Sequence, residues 1–378
     1  MNLFKFYDII VLSEFNDNGE LIGEIWEDVL MGNNRRIKNA VANALKGDAV
    51  TIAYLGGSVT AGYISDVGII KESYAEMSFK FFCNKSKNHD CRYINLGLQG
   101  ADAFAGLALT ERHLRAEHPD IVFIEYALNN QMDNESMLAF EGLVRKIYGF
   151  ENSPAIVLLF IPNKEFVTSE SYMRKIGENY CLEIISVSEK LKNEIDTGNI
   201  KWSDYSSDNG HPNKWGQKFI SDCINEFFNR IWKEKYDGEI KDEIKPYFGD
   251  YYTSFQNVYF ESIRDIYMTG FKYADSSARF PNALISTNQK QSIISFTIKL
   301  RALFIIFEKS NDINCGEIQI YIDNNYTENV SGYSIYGRNN PTMKLVFKEN
   351  ISAFHDVKIV MRNDNQNRFI TIIGIGIC

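Results

Sequence analysis

The chain reads as an α/β protein, a parallel sheet between two helical layers (α/β/α), with an antiparallel β-sandwich or jelly roll behind it. Three observations predict this. Five short apolar, β-prone runs alternate with segments of helical periodicity between residues 36 and 232, the pattern of βα units wound into one parallel sheet. A charged, polar stretch at 233–249, with Gly238, Pro246 and Gly249, then breaks the pattern. Beyond residue 251 come short β-like runs separated by turn signals, the texture of a sandwich.

Taken in order, residues 1–32 are an N-terminal β extension. Phe4, Tyr7 and Ile9-Ile10-Val11 favour strands, and Asn16-Asp17-Asn18-Gly19 favours a turn. An isolated two-stranded ribbon is marginal, so these strands are expected to join the sandwich. Residues 33–236 form the α/β unit. Helices are expected at 36–45, 74–82, 103–117, 137–148, 169–179 and 187–195, and strands at 49–55, 92–96, 120–126, 155–161 and 182–186. Trp215, Phe219, Ile220, Cys223, Ile224, Phe227 and Ile231 recur at helical spacing after Pro212, which suits the first position of a helix. Residues 237–250 are a linker. Residues 251–378 hold β-like runs at 292–298, 302–307, 317–322, 344–347, 355–361 and 369–375.

The bulk properties set limits. A chain of 378 residues suits two domains, and 45% hydrophobic with 24% charged residues allows a substantial core. A net charge of −9 with scattered basic residues argues against nucleic acid or an anionic membrane as partner. The six cysteines have no C-x-x-C spacing, so neither a metal site nor a redox pair is indicated, and no cofactor is expected. The first residues lack a secretory pattern and no run of about 18 apolar residues occurs; the expectation is a cytoplasmic protein, with a homo-oligomer left open.

The chemistry is carried by Ser58 and by Asp208-Asn209-Gly210-His211, about 150 residues further on. The run 49–55 is apolar, as a buried parallel strand should be. Gly56 and Gly57 allow a tight turn after it, so Ser58 emerges at the carboxyl end of a strand, where open α/β sheets bind ligands. A serine hydroxyl is a poor nucleophile without a base in reach. His211 is the candidate base, and Asp208, three residues earlier, is placed to fix its tautomer. Of the five histidines, only His211 lies in such a constellation.

Two further segments end at the same sheet edge. Asn95-Leu96-Gly97-Leu98-Gln99-Gly100 follows one strand, and Tyr126-Ala127-Leu128-Asn129-Asn130 ends another. Acyl transfer needs donors aimed at the oxyanion of a tetrahedral intermediate. The backbone N–H groups of Ser58 and Gly100 and the side-chain amide of Asn129 can supply three. Each block alone is weak evidence, but the four in one order are specific.

With these blocks the chain resembles the SGNH (GDSL-like) hydrolase family over about residues 48–232. The resemblance implies a flavodoxin-like winding of the sheet, Ser58 as nucleophile, Gly100 and Asn129 as oxyanion donors beside Ser58, and Asp208 and His211 as the rest of a triad. Gly57 and Asn130 stand where the family often has Asp; they are candidate substrate-binding positions. Sandwich domains beside SGNH-like domains often accompany activity on polysaccharides, so the resemblance leans toward an acylated saccharide as substrate. Tyr321, Tyr326, Tyr333 and Tyr336 are aromatics that could stack on sugar rings. The expected activity is removal of a small acyl group, most simply acetyl, from a sugar hydroxyl. The alternatives are a sugar O-acyltransferase with the same triad and a catalytically silent carbohydrate-binding protein.

Overall fold

The computed structural model describes residues 28–233, 244–274, 282–286, 292–362 and 368–378, together with the backbone of 12–15 and 21–25. The first unit is a six-stranded sheet in the order Val29–Leu30, Glu183–Ser186, Ala155–Phe160, Ile121–Glu125, Thr51–Gly56, Arg92–Asn95. Every pair is parallel except the first. Numbered along the chain, the five parallel strands lie in the order 2-1-3-4-5, the flavodoxin-like winding. Its direction reverses between Thr51–Gly56 and Ile121–Glu125, and ligands bind beyond the carboxyl ends of strands at such a switch point.

Alternation of side chains explains the three layers. Tyr54, Phe123, Val157 and Leu159 point to one face, and pack with the helices Arg35–Lys46, Tyr74–Ser86 and Lys214–Lys233. Leu55, Val122, Ile124, Ile156 and Leu158 point to the other, against Ala103–Leu109, Asn134–Tyr148 and Glu170–Asn179. The helix expected over 103–117 is α-helical only to Leu109. It widens to a π turn at Thr110–Leu114 and tightens at Arg115–Glu117.

One expectation is corrected at the edge of this unit. Val29–Leu30 pair antiparallel with Ile184–Ile185 of the first sheet and do not join the sandwich. Strands Leu12–Phe15 and Leu21–Ile25 pair with each other. The expected strand around 4–11 and the turn at 16–19 lie outside the described residues. The second half of the linker is strapped down: the N–H groups of Tyr247, Phe248 and Gly249 donate to the buried carboxylate of Glu141 at 2.5–2.9 Å.

The second unit is an antiparallel β-sandwich built on two long strands, Ile293–Ser310 and Arg338–Met361, paired along nearly their whole length. Ile293–Ser310 pairs with Tyr267–Thr269 at its start, over 293–295, and with Thr371–Ile377 in its second half, over 303–307. Its register slips at Arg301, and a bulge of this kind lets one strand pass between layers. The charged Lys299-Leu300-Arg301 therefore interrupts the hydrophobic run without ending the strand. Arg301 is instead tied to Tyr251, whose carbonyl accepts its guanidinium at 2.6 Å and whose ring lies 4.2 Å from it. Ile318, Ile320 and Ile322 alternate inward on Glu317–Ile322, as expected.

The units share one apolar cluster. Tyr252, Phe255, Ala302, Phe304 and Ile306 pack with Phe140, Leu143 and Leu107 of the first unit. The Tyr252 ring sits 5.5 Å from Phe104 and 5.6 Å from Phe304. Gly142 admits this approach, since a Cβ there would come within 2.9 Å of the Tyr252 backbone. All six cysteines are free thiols. Among the described residues no helix is long and apolar enough to cross a membrane.

Candidate active site

Ser58, Asp208 and His211 meet at the switch point. Ser58 Oγ is 3.0 Å from His211 Nε2, and His211 Nδ1 is 2.8 Å from Asp208 Oδ2. The turn that presents Ser58 is closed by three backbone bonds: Ala61 N–H to Gly57 C=O, Gly62 N–H to Val59 C=O, and Tyr63 N–H to Ser58 C=O. Gly57 is dictated by close approach. A Cβ there would meet the Asn129 side-chain oxygen at 3.0 Å, so the residue that replaces an acid of the family pattern makes room for Asn129.

The imidazole is held from several sides. Asp208 Oδ1 accepts the backbone N–H of His211 at 2.7 Å and of Gly210 at 2.8 Å, and the Ser206 hydroxyl at 3.2 Å. Trp202 Nε1 donates to the Asp208 carbonyl at 2.8 Å. The helix begins at Lys214 and not at Pro212: Asn213 Oδ1 accepts the Gly216 N–H at 3.0 Å and acts as its cap. Burial alone would push the Asp208 pKa up. The Ser65 hydroxyl, the backbone N–H groups of His211 and Gly210 and the His211 ring outweigh it and hold the carboxyl well below the usual range. Asp208 is thus ionised and suited to stabilise an imidazolium.

Gly100 and Asn129 line the same cleft as Ser58 and His211. Gly100 has φ +71°, a left-handed conformation that suits glycine. Its loop is anchored at both ends. Asn95 Oδ1 accepts the Gly97 N–H at 2.8 Å, and Asp102 caps the next helix through the Ala105 N–H at 3.1 Å. A Cβ at Gly97 would strike the Ala61 N at 2.2 Å, so this loop lies directly on the nucleophile turn.

Asn130 is not at the cleft. It is buried, its Oδ1 accepts the Ala103 N–H at 2.8 Å, and its Nδ2 donates to the Tyr172 hydroxyl at 2.9 Å. Those bonds pin the loop after Ile121–Glu125, so Asn130 is corrected from a substrate-binding position to a structural clamp. Gly57 likewise does not line the cleft; it shapes the wall through Asn129.

The structure adds residues that the motifs do not reveal. Ser65, from the hairpin Tyr63–Ile64 and Gly68–Ile69, donates to Asp208 Oδ2, and the Tyr63 ring stands edge-on to His211 at 4.8 Å. No spacing rule finds Ser65, because its hairpin must fold back first. Glu125, buried beneath the turn, bonds Gly57 and Thr60. It did leave a signal, as the one charge in the apolar run Ile121-Val122-Phe123-Ile124-Glu125. The second unit contributes Tyr336, Arg338 and Asn340 to an open cleft of about 490 Å³, which Asn163 and Asn209 also line. Of the four tyrosines singled out in the sandwich, Tyr336 lines this cleft.

The strand order and the second sheet define a two-domain architecture, an α/β/α unit with a C-terminal β-sandwich. Among solved structures, the chain is similar to two crystal structures of a two-domain esterase, CEX, active on acetylated mannans, one co-crystallized with mannopentaose. Both share 21% identity over 91% of this chain and 95% of that one, with TM-scores of 0.81 and 0.82. A lipase/acylhydrolase from Enterococcus faecalis aligns with 50% of this chain and 100% of its own, at 16% identity and a TM-score of 0.40. No family model matches the chain, and no curated protein does.

Proposed function

We propose that the protein is a serine ester hydrolase that removes acetyl groups from saccharide hydroxyls. The observation that carries this reading is the continuous path from Ser58 Oγ to His211 Nε2 at 3.0 Å and from His211 Nδ1 to Asp208 at 2.8 Å. Ser58 Oγ attacks the ester carbonyl carbon while His211 Nε2 takes its proton. Negative charge moves to the carbonyl oxygen, where the N–H groups of Ser58 and Gly100 and the amide of Asn129 receive it. The intermediate collapses, the C–O bond to the sugar breaks, and the sugar oxygen leaves with the proton from His211. Water then attacks the acyl-serine, again losing its proton to His211, and acetate departs as Ser58 is restored.

The saccharide part of the reading rests on the cleft and on the neighbours. Tyr336, 82% exposed, offers a ring face at the mouth. Gln99, Asn163, Asn209 and Asn340 offer amides suited to sugar hydroxyls. An open, polar-walled cleft suits a sugar chain with a short acyl group better than a long lipid. The similar two-domain esterase acts on acetylated mannans, which supports an acetylated polysaccharide here. The test is hydrolysis of p-nitrophenyl acetate and of acetylated mannan and xylan by wild type and Ser58→Ala. The variant is expected to lose about 10⁴-fold or more in kcat; equal rates would rule out the nucleophile. Acetyl appearing on an added saccharide instead of as free acetate would turn the assignment to an acyltransferase.

A further inference from the structure

The strand that leads to Asn129 also carries a carboxyl group that the mechanism above leaves unused. Glu125 ends Ile121–Glu125 and is 1% exposed. Its Oε2 accepts the Gly57 backbone N–H at 3.3 Å and the Thr60 hydroxyl at 2.9 Å. The single Thr60 proton being committed there, the Tyr74 hydroxyl, 2.7 Å from Thr60 Oγ1, must donate in that contact. The result is a one-way chain from Tyr74 through Thr60 to Glu125. The carboxyl group grips the nucleophile turn on both sides of Ser58, one residue before it and two after.

The environment of this group is unfavourable to charge. Glu125 Oε1 has no hydrogen-bond partner among the described residues, and neither has the buried Tyr205 hydroxyl. The titratable groups that face Glu125 are Tyr74, on the helix Tyr74–Ser86, and Tyr205, on Trp202–Tyr205. No cation contributes to its ionisation balance. Burial pushes its pKa up to about 7, against the hydrogen bonds from Thr60 and Gly57. An anion at this place would also lie one residue from the Ser58 N–H, the proposed oxyanion donor, and like charges oppose one another most in a dry site.

We propose that Glu125 is a positioning residue that holds the nucleophile turn in its neutral, protonated form, and that its ionisation weakens catalysis at the oxyanion site. The inference rests on the esterase reading. In the neutral form Oε2 is the carbonyl oxygen that accepts from Gly57 and Thr60, and Oε1 carries the proton. The sign for stability follows. The folded chain holds this proton more tightly than the unfolded one, so the contribution is fully present below the ordinary value of 4.5 and is lost as pH rises through about 7.

The experiment is the dependence of kcat and kcat/KM for p-nitrophenyl acetate on pH, from about 5 to about 9, for wild type and Glu125→Gln, with thermal unfolding at each pH. The wild-type rate should fall about tenfold over the upper part of this range as Glu125 ionises. Glu125→Gln should lack the fall, with kcat affected more than KM. Its melting temperature should gain on wild type as pH increases. Thr60→Val removes a donor that favours the carboxylate, so its descending limb should move to higher pH; this variant decides the matter should Glu125→Gln not fold. A wild type flat to about pH 9, a descending limb unchanged in Glu125→Gln, or one unmoved in Thr60→Val would each overturn the inference while leaving the esterase intact. A wild type that neither hydrolyses the ester nor reacts with a fluorophosphonate would bring down the esterase reading, and this inference with it.

Discussion

The polar groups behind the nucleophile turn and those that the second unit brings to the cleft are held in opposite ways. In the first, Glu125, Thr60, Tyr74, Asn130 and Gln217 are buried, and each is bonded to backbone or to a neighbouring side chain around the nucleophile turn and its supports. In the second, Tyr336 and Arg338 stand exposed at the cleft mouth, on and just before the strand Arg338–Met361. Chemistry demands groups held to fractions of an ångström, and buried hydrogen-bonded networks supply that rigidity. Recognition of a hydrated polymer demands accessible ring faces and amides. On the function proposed above, the difference teaches that one cleft combines a buried, bonded turn that would react with exposed side chains from both units that would select.

The shared core is the first place to break this arrangement. Phe304 is fully buried between Tyr252, Phe104 and Phe255. Phe304→Ala should cost about 3–5 kcal/mol of stability. Because the cluster spans both units, denaturant unfolding followed by tryptophan fluorescence in the first unit should shift together with circular dichroism of the whole chain. A first unit that unfolds unchanged would show that the two units are independent.

The reacting turn and its partners are tested next. Asn129→Ala should lower kcat by about 10²–10³ with a smaller change in KM, since an oxyanion donor acts chiefly in the transition state. A change confined to KM would make Asn129 a substrate-holding group. The smallest effect is expected among the selecting side chains. Tyr336→Ala should lower kcat/KM on an acetylated oligosaccharide about tenfold more than on p-nitrophenyl acetate, the equivalent of about 1.4 kcal/mol. Equal losses on both substrates would remove the sandwich from recognition.

Much of the first unit was legible because its signals are local. Apolar runs such as 155–160 and 121–125 announce buried strands, and glycine turns after them announce a switch-point edge. Ser58, Gly100, Asn129, Asp208 and His211 were readable as a set, since each sits in a short block whose order is preserved along the chain. Asn130 was misassigned because its neighbour Asn129 faces the cleft, while it turns inward to Ala103 and Tyr172, and only packing distinguishes adjacent amides. In the sandwich, charge at Lys299 and Arg301 disguised one long bent strand as two short ones.

The amino-acid order alone determined the alternation of strands and helices in the first unit, the block of residues at each strand end and the change to β texture after residue 251. These follow from periodicity and turn chemistry, which act over a few residues. Tertiary structure alone decided that Ser65 reaches Asp208, that Glu125 lies beneath Ser58, and that Tyr336, Arg338 and Asn340 close the cleft from the far unit. Such contacts join residues tens to hundreds of positions apart. Their existence depends on how whole layers dock, which no local pattern encodes.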